Sequence, residues 1–471
     1  MSNLLQTMKK AGHARLFAIQ DLHPGQLGKL IAQVRPKRLI VAVSGGRDSQ
    51  VLAHLCWRLS VTGRLSIPIE LWHVNHKLQP DAESWARDVA ALAAGYGFLY
   101  RSMRVDIARD QNVEQAAREA RYQAFSHYAE SGDLLLLGQH RDDQEETLML
   151  RLMRGAGPQG LAAMSALRTA VLPNDGKVFW GRPLLGISRR QIDHYASAWQ
   201  LVAVEDPSNH DVTFDRNFLR QQVLPALRQR WPQLGQSLSA SANACAEVSV
   251  LLEELAKEDL IKCAWDELSG TLSLELLRQL SVSRQKNLLR HLVSLLALPP
   301  MPEHLVEAFP AFVAAEHDTA NELRWKQFKW CRFHGSLYLL PALMPAGLAS
   351  VQPLEVLTAT ELPWGKLVFR AVEGGGIHER WVSQLHLIPR QSSLRWQPPG
   401  KPHHVTLKNY FQQRSIPVWL RQYVPIVAIA NDIVSVADEV ADRYRAGEGQ
   451  RGWLPQWVLP LRPWRIAAPL G

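Results

Sequence analysis

Leu39-Ile40-Val41-Ala42-Val43-Ser44-Gly45-Gly46-Arg47-Asp48-Ser49 is the stretch that decides the fold. Its apolar half reads as a buried strand, its glycines and serines as a tight turn, and the pattern beginning near Gln50 as a helix. A strand, turn and helix start in that order suit an oxyanion. Gly45 and Gly46 let the backbone come close, Ser44 and Ser49 add hydroxyl donors, and the amides of a first helical turn favour negative charge. The stretch matches neither Gly-x-x-x-x-Gly-Lys-Ser/Thr nor Gly-x-Gly-x-x-Gly. Where the first of those has lysine stands Asp48, a carboxylate suited to Mg²⁺. The alternative is an ordinary strand-to-helix turn, in which Gly, Ser and Asp are common.

Outward from this turn the pattern alternates. Strands are expected at 69–74, 98–105, 134–137 and 178–182, and helices at 83–96, 113–130, about 143–153 and 188–199. This alternation predicts an α/β fold with a doubly wound parallel sheet, and the four leucines at 134–137 fit a central strand buried on both faces. Ligands of such sheets bind outside the carboxyl ends of the strands. Ser44-Gly45-Gly46, His73-Val74-Asn75-His76 and Gly138-Gln139-His140 all fall there.

The second polar cluster is Gly138-Gln139-His140-Arg141-Asp142-Asp143-Gln144-Glu145-Glu146-Thr147. Asp143 near a helix start and Glu146 one turn on share a face, so both carboxylates can join Asp48 in holding Mg²⁺ or an amine. His140 is a phosphate donor or proton acceptor by type. Acids in a first helical turn also serve as caps, and that reading stays open. A third cluster, Glu114, Arg118, Arg121 and Tyr122, reads as substrate-binding or as an exposed ion pair. Arg151 and Arg154 lead into the glycine-rich loop 155–160, which can close on a phosphate or merely turn the chain. Arg182, Arg216 and Arg220 add further cations after the sheet.

The chain of 471 residues is long enough for roughly three domains of about 150 residues. The expected division is 1–232 for the α/β domain, 233–345 for a helical domain, and 346–471 for a small β-rich domain of short apolar runs broken by Pro and Gly. A net charge of +9 points to a polyanionic partner, nucleic acid first. Between Arg380 and Ala430 there is no acidic residue, while Arg390, Arg395, Lys401, Lys408, Arg414 and Arg421 alternate with Trp396, Tyr410, Phe411, Trp419 and Tyr423. That interleaving suits stacked bases and phosphates of RNA loops; the alternative is a basic face over an aromatic core. The first residues carry no signal-peptide pattern and no window reaches a membrane span, so the reading is cytoplasmic with no membrane. The four cysteines are scattered without a CxxC pair, which excludes a zinc or disulfide framework.

Ser44-Gly45-Gly46-x-Asp48-Ser49 resembles the pyrophosphate loop (PP-loop) of the N-type ATP pyrophosphatases. The wider set is similar to the tRNA(Ile)-lysidine synthetase family over about residues 38 to 225. It comprises His73-Val74-Asn75-His76, Glu114-x-x-Ala117-Arg118-x-x-Arg121-Tyr122, His140-x-Asp142-Asp143-Gln144-x-Glu146-Thr147, Arg154-Gly155-x-Gly157-x-x-Gly160-Leu161, Arg182-Pro183-Leu184-Leu185, and Glu205-Asp206-x-Ser208-Asn209 with Arg216-Asn217. The tail resembles the same family more loosely through Leu407-Lys408-x-x-Phe411-Gln412 and Ile416-Pro417-x-Trp419-x-Arg421. It departs at Arg390-Gln391-Ser392-Ser393-Leu394-Arg395-Trp396, where the family usually has a Gly-Gly-Glu-Arg-like turn, and at Gln139, where a second histidine is common.

The resemblance implies an enzyme that adenylates the carbon-2 oxygen of the cytidine at the first anticodon position of AUA-reading tRNA(Ile). The side-chain amine of free lysine then displaces AMP. It implies ATP and Mg²⁺ as cofactors, with Ser44, Gly45, Gly46, Arg47, Asp48, Ser49 and His140 on ATP and Asp48 with Asp143 on Mg²⁺. Asp48, Asp143, Glu146 and Arg216 are the expected catalytic residues, and Arg118, Arg121, Arg154, Lys408 and Arg421 the expected substrate or tRNA contacts. The partners are tRNA(Ile) and lysine, and a homodimer is allowed. The rivals are a tRNA thiolase of the same superfamily and a non-catalytic RNA-binding protein.

Overall fold

The computed structural model describes residues 25–76, 81–106, 113–172, 176–204, 211–315, 322–391 and 393–465. The chain divides into two compact units, Met1–Leu251 and Leu252–Gly471, and the helix Leu234–Lys262 runs through the division.

In the first unit the expected alternation is present. The order is α1 (Gly25–Val34), β1 (Arg38–Ala42), α2 (Arg47–Val61), β2 (Ile69–Asn75), α3 (Ala82–Tyr96), β3 (Leu99–Arg104), α4 (Val113–Tyr128), β4 (Asp133–Leu136), α5 (Arg141–Met153), α6 (Pro158–Leu161), β5 (Leu167–Val171), β6 (Lys177–Gly181) and α7 (Arg189–Ala198). The strands form one sheet in the order β3-β2-β1-β4-β6-β5, parallel except for β5. Side-chain alternation along the central strands feeds two cores. Leu39, Val41, Leu134 and Leu136 pack on one face with Leu52 and Cys56 of α2, while Ile40 and Leu135 face Trp72, Phe125 and Trp180 on the other. Each such leucine contributes about 1.5–3 kcal/mol by burial.

From β1 the chain winds outward to β2 and β3, then returns to place β4 on the opposite side of β1. The reversal opens a crevice at the carboxyl ends of β1 and β4. Strand β5 is absent from the sequence expectation. Leu167-Arg168-Thr169-Ala170-Val171 is half exposed and pairs only with β6, so it carries no clear alternation to read.

The second unit begins with helical packing, as expected: Leu274–Arg278, Val282–Leu295 and Glu303–Ala314 share a core with Trp325, Trp330 and Leu339. These last residues belong to a four-stranded antiparallel sheet of Thr271–Ser273, Ser336–Pro341, Phe328–Phe333 and Glu322–Trp325, which adds strands to a region read as helical. Phe328–Phe333 is buried throughout, so it shows no two-residue period.

Beyond it, short antiparallel strands make a five-stranded and a four-stranded sheet, the latter built around Lys366–Glu373 against Arg451–Val458. Gly374, Gly375 and Gly376 form a turn, all three at positive φ. Here one expectation is corrected. Trp396, Tyr410, Phe411 and Tyr423 are 1%, 4%, 0% and 3% exposed, and Trp396 meets Tyr410 edge-on at 4.8 Å between centroids. They are the core of this region and are not displayed for stacking on bases.

Candidate functional site

The turn after β1 is built around its own hydroxyls. Ser49 Oγ donates to the Gly46 carbonyl at 2.8 Å, the Ser44 amide donates to Ser49 Oγ at 3.3 Å, and the Gly46 amide to Ser44 Oγ at 3.3 Å. Gly45 sits at φ +91°, a conformation other residues rarely take, and Gln50 Nε2 holds its carbonyl at 3.1 Å. Helix α2 starts with Gly46 as its cap, and no side chain accepts from its first amides. A helix start left uncapped behind a rigid glycine turn is an anion seat.

Gly138, after β4, packs against this turn. A β-carbon there would lie 3.0 Å from the Ser49 nitrogen and 3.1 Å from the Asp48 carbonyl carbon, so glycine lets the two strand ends come together. The next residues supply the chemistry. His140, 2% exposed, caps α5: its Nδ1 accepts from the Asp142 amide at 3.2 Å, and Asp143 Oδ2 accepts from the His140 amide at 3.0 Å. The capping alternative is therefore real. It does not exhaust the site, because His140 Nε2 lies 3.7 Å from Asp48 Oδ2 and 3.5 Å from Asp143 Oδ2. The three residues singled out on two separate strand ends meet.

Arginines complete the constellation. Arg189 Nη1 straddles both oxygens of Asp48 at 3.2 and 3.1 Å, and its Nε reaches Asp193, which also accepts from Arg47 Nη1 at 2.7 Å. Arg216 reaches Glu146 through Nε at 2.7 Å and Asp143 through Nη2 at 3.1 Å; Arg220 reaches the same pair at 2.6 and 3.2 Å. Glu146 is fully buried, with both oxygens taken by these guanidiniums. The other two acids of the run face elsewhere: Asp142 and Glu145 both bind Arg228, at 2.9 and 2.5 Å.

Burial pushes the Asp48 carboxyl above its ordinary pKa, against the pull of His140 and Arg189. Burial acts the same way on Asp143, but His140, Arg216, the His140 amide and Arg220 outweigh it and hold that carboxyl below the ordinary value. Two neighbouring acids with opposite tendencies are a feature of functional sites. Among the described residues no three His, Cys, Asp or Glu side chains form a metal cage. Two carboxylates beside a phosphate seat nevertheless fit Mg²⁺, which keeps its waters and takes substrate oxygens for the rest of its octahedron.

The remaining expected contacts are spread out. Arg121 donates to His76 Nε2 at about 3.4 Å, Arg118 is exposed over the Tyr122 ring, and Arg154 is exposed at the end of α5. In the second unit, Lys408 is exposed on the helix Leu407–Gln413, and Arg421 Nε donates to the Ile416 carbonyl at 2.9 Å. The run 205–210 and the side chain of Glu114 lie outside the described residues. Sequence reasoning missed Arg189 and Asp193, which sit on α7 far from any motif; a cation and an acid four residues apart were the only signal.

Three family models match the chain: a PP-loop domain at residues 21–227, a TilS substrate binding domain at 272–338, and a TilS substrate C-terminal domain at 385–457. Full-length relatives decide the matter. A tRNA(Ile)-lysidine synthase of Xanthomonas campestris pv. campestris is 35% identical over 448 residues, covering 94% of this chain and 99% of that one. The chain belongs to the tRNA(Ile)-lysidine synthase family. Namesakes in Methylococcus capsulatus, 36% identical over 88% of this chain and 92% of theirs, and in Vibrio cholerae, 35% identical over 88% and 93%, agree. It is an ATP-using enzyme of the PP-loop class, and the turn 44–49 is its phosphate loop. No helix among the described residues is long and apolar enough to cross a membrane.

Proposed function

We propose that this enzyme uses ATP to join lysine to carbon 2 of the cytidine at the first anticodon position of AUA-reading tRNA(Ile). The observation that carries the reading is the meeting of Asp48, His140 and Asp143 within 3.7 Å beside an uncapped phosphate turn. In the first step the carbon-2 oxygen attacks the α-phosphorus of ATP and pyrophosphate leaves. The amides of Gly45, Gly46 and Arg47, with the hydroxyls of Ser44 and Ser49, receive its charge, and His140 adds a donor. Asp48 and Asp143 would hold Mg²⁺, which supplies charge neutralisation between the phosphates.

In the second step the deprotonated lysine side-chain nitrogen attacks carbon 2. The carbon–oxygen bond breaks, and that oxygen leaves on AMP. Asp143 and Glu146 attract the lysine ammonium in this reading. Both are now neutralised by Arg216 and Arg220, two acids against two cations. Arg216 and Arg220 turn toward the phosphates or adenylate when ATP is bound, which frees a carboxylate for lysine. Arg118, Arg121 and Arg154 in the first unit, with Lys408 and Arg421 in the second, are the proposed RNA contacts. The division 1–232, 233–345 and 346–471 assigns them to a catalytic, a substrate-binding and a tRNA-binding part, and each family match falls inside one of these. A homodimer and a cytoplasmic location complete the proposal.

The thiolase rival needs a reactive sulfur. Cys56 and Cys331 are buried with thiols pushed up to about 12, and burial of Cys263 pushes its thiol up to about 11, so these three stay protonated and inert at neutral pH. The test is incubation with ATP, lysine and bulk tRNA followed by nucleoside mass analysis. A cytidine heavier by lysine less one water is expected; a sulfur-sized gain would move the assignment to the thiolase.

A further inference from the structure

Gln139 and His140 follow one another at the end of β4, and they serve two different sites. His140 meets Asp48 and Asp143, whereas Gln139 accepts from Arg182 Nε at 2.5 Å. Arg182, at the end of β6, is 4% exposed. Its other partners are also neutral: the Ser165 carbonyl at 2.9 Å and the Tyr122 hydroxyl at 3.3 Å. Arg118 donates to that same hydroxyl, also at 3.3 Å, from above the Tyr122 ring. Arg151 of α5 is bonded to the carbonyls of Gly160 and Ala163 at 2.7 and 2.8 Å. Arg168 stands on β5, opposite Trp180.

What this corner lacks is an acid. Arg189, Arg216, Arg220 and Arg228 each hold a carboxylate within 3.2 Å. Among the described residues no carboxylate lies in ion-pair reach of Arg118, Arg151, Arg168 or Arg182. Burial lowers the proton affinity of Arg182, and repulsion from Arg118 and Arg168 lowers it further. Arg151 is lowered by burial and by Arg118 and Arg182. Gathering guanidiniums in a half-buried corner without a counter-ion is costly, and a fold that does so is built for an anion that arrives later.

We infer that Arg182, Arg118 and the Tyr122 hydroxyl form a phosphate site that holds a phosphodiester of the RNA strand beside the nucleotide being adenylated. The inference rests on the reading that the acceptor is RNA. A guanidinium fork matches phosphate oxygens, and a neighbouring hydroxyl supplies one more donor. The other source of phosphate is ATP. Its loop lies at the end of β1, and β6 stands two strands away, a separation of about 10 Å. One phosphate of the nucleotide strand at Arg182 and the triphosphate at Ser44–Ser49 would bracket the strand-end crevice from both sides.

Arg182 is buried and its loss risks the fold, so the exposed pair carries the test. The double variant Arg118→Gln, Arg168→Gln is compared with the parent for tRNA(Ile) affinity across a salt series, and for KM of ATP at saturating RNA. The expected result is a dissociation constant for tRNA raised about tenfold and a salt dependence shallower by about 1.4 in log–log slope, near 0.7 for each phosphate contact on a single strand. KM for ATP stays as in the parent. An unchanged RNA affinity and slope in a folded variant would overturn the site, and so would an effect confined to KM for ATP, which would assign the arginines to the nucleotide. Failure of the parent to form lysidine counts against the RNA-acceptor reading instead, and the binding series still decides whether the corner holds phosphate.

Discussion

The crevice at the ends of β1 and β4 and the basic tail beyond Arg380 are opposites in how charge and burial combine. In the crevice, polar residues from distant parts of the chain converge: Asp48 lies 92 positions from His140 (140 − 48), yet their side chains come within 3.7 Å. In the tail, the aromatic residues that alternate with cations are core, and the cations form the surface over it; Arg390 lies over the buried Phe411 ring at 5.4 Å and Arg414 over Tyr410 at 5.8 Å. The difference is one of evidence type. A strand, glycine turn and helix start constrain the backbone, so they fix where side chains meet. Interleaved composition constrains nothing, because a small β-rich region needs large apolar residues for its own core.

Breaking the crevice should give the largest effect. Asp48→Ala is expected to reduce lysine transfer by on the order of a thousandfold or more while leaving the fold intact, since it removes a proposed Mg²⁺ ligand beside the phosphates. Steady-state turnover together with a thermal melt checks this. Turnover within tenfold of the parent would remove Asp48 from the chemistry.

The tail should respond in the opposite currency. Phe411→Ala deletes a fully buried ring, and a loss of about 3–5 kcal/mol in stability is expected. The affinity of the still-folded fraction for tRNA should change little. Urea unfolding beside RNA binding separates the two, and an intact stability with collapsed affinity would restore the stacking role that the structure denies this residue.

A smaller effect sharpens the comparison within the first unit, where burial of a polar residue is structural. His54 of α2 is 3% exposed, pairs through Nδ1 with the Tyr195 hydroxyl at 2.8 Å, and has its pKa pushed down to about 3 by burial. The unfolded chain takes up that proton near pH 6.5 and the folded one does not. Its stability contribution is therefore complete above pH 6.5 and is lost progressively as the pH falls toward 3. Between pH 7 and 5 this amounts to about 2 kcal/mol. In His54→Asn the fall in urea midpoint over that interval should shrink accordingly; an identical fall in both proteins would show that His54 is not its source.

Much of the first unit was legible in the sequence for the same backbone reasons. Seven of the eight regular elements between β1 and α5 follow from apolar runs, helical spacing and glycine turns, and β4 from its leucines alone. The acids at 143 and 146 were legible as a pair because helical spacing puts them on one face. Their saturation by Arg216 and Arg220 was not, since those arginines return from far along the chain, 73 residues from Asp143 in the case of Arg216. Arg189 and Asp193 were illegible for the same reason: α7 is ordinary in sequence, and only the winding of the sheet brings it against α2. In the second unit, Phe328–Phe333 and Ser336–Pro341 are buried on nearly every residue, which erases the alternation that marks a strand.

The central claim is that the crevice activates the carbon-2 oxygen of cytidine by transferring AMP onto it. tRNA(Ile) carrying oxygen-18 at that position, incubated with the enzyme, ATP and lysine, tests it most directly. The account predicts that the label departs in AMP, one for each lysidine formed. Label retained in the modified nucleoside, or released to water with unlabelled AMP, would contradict it.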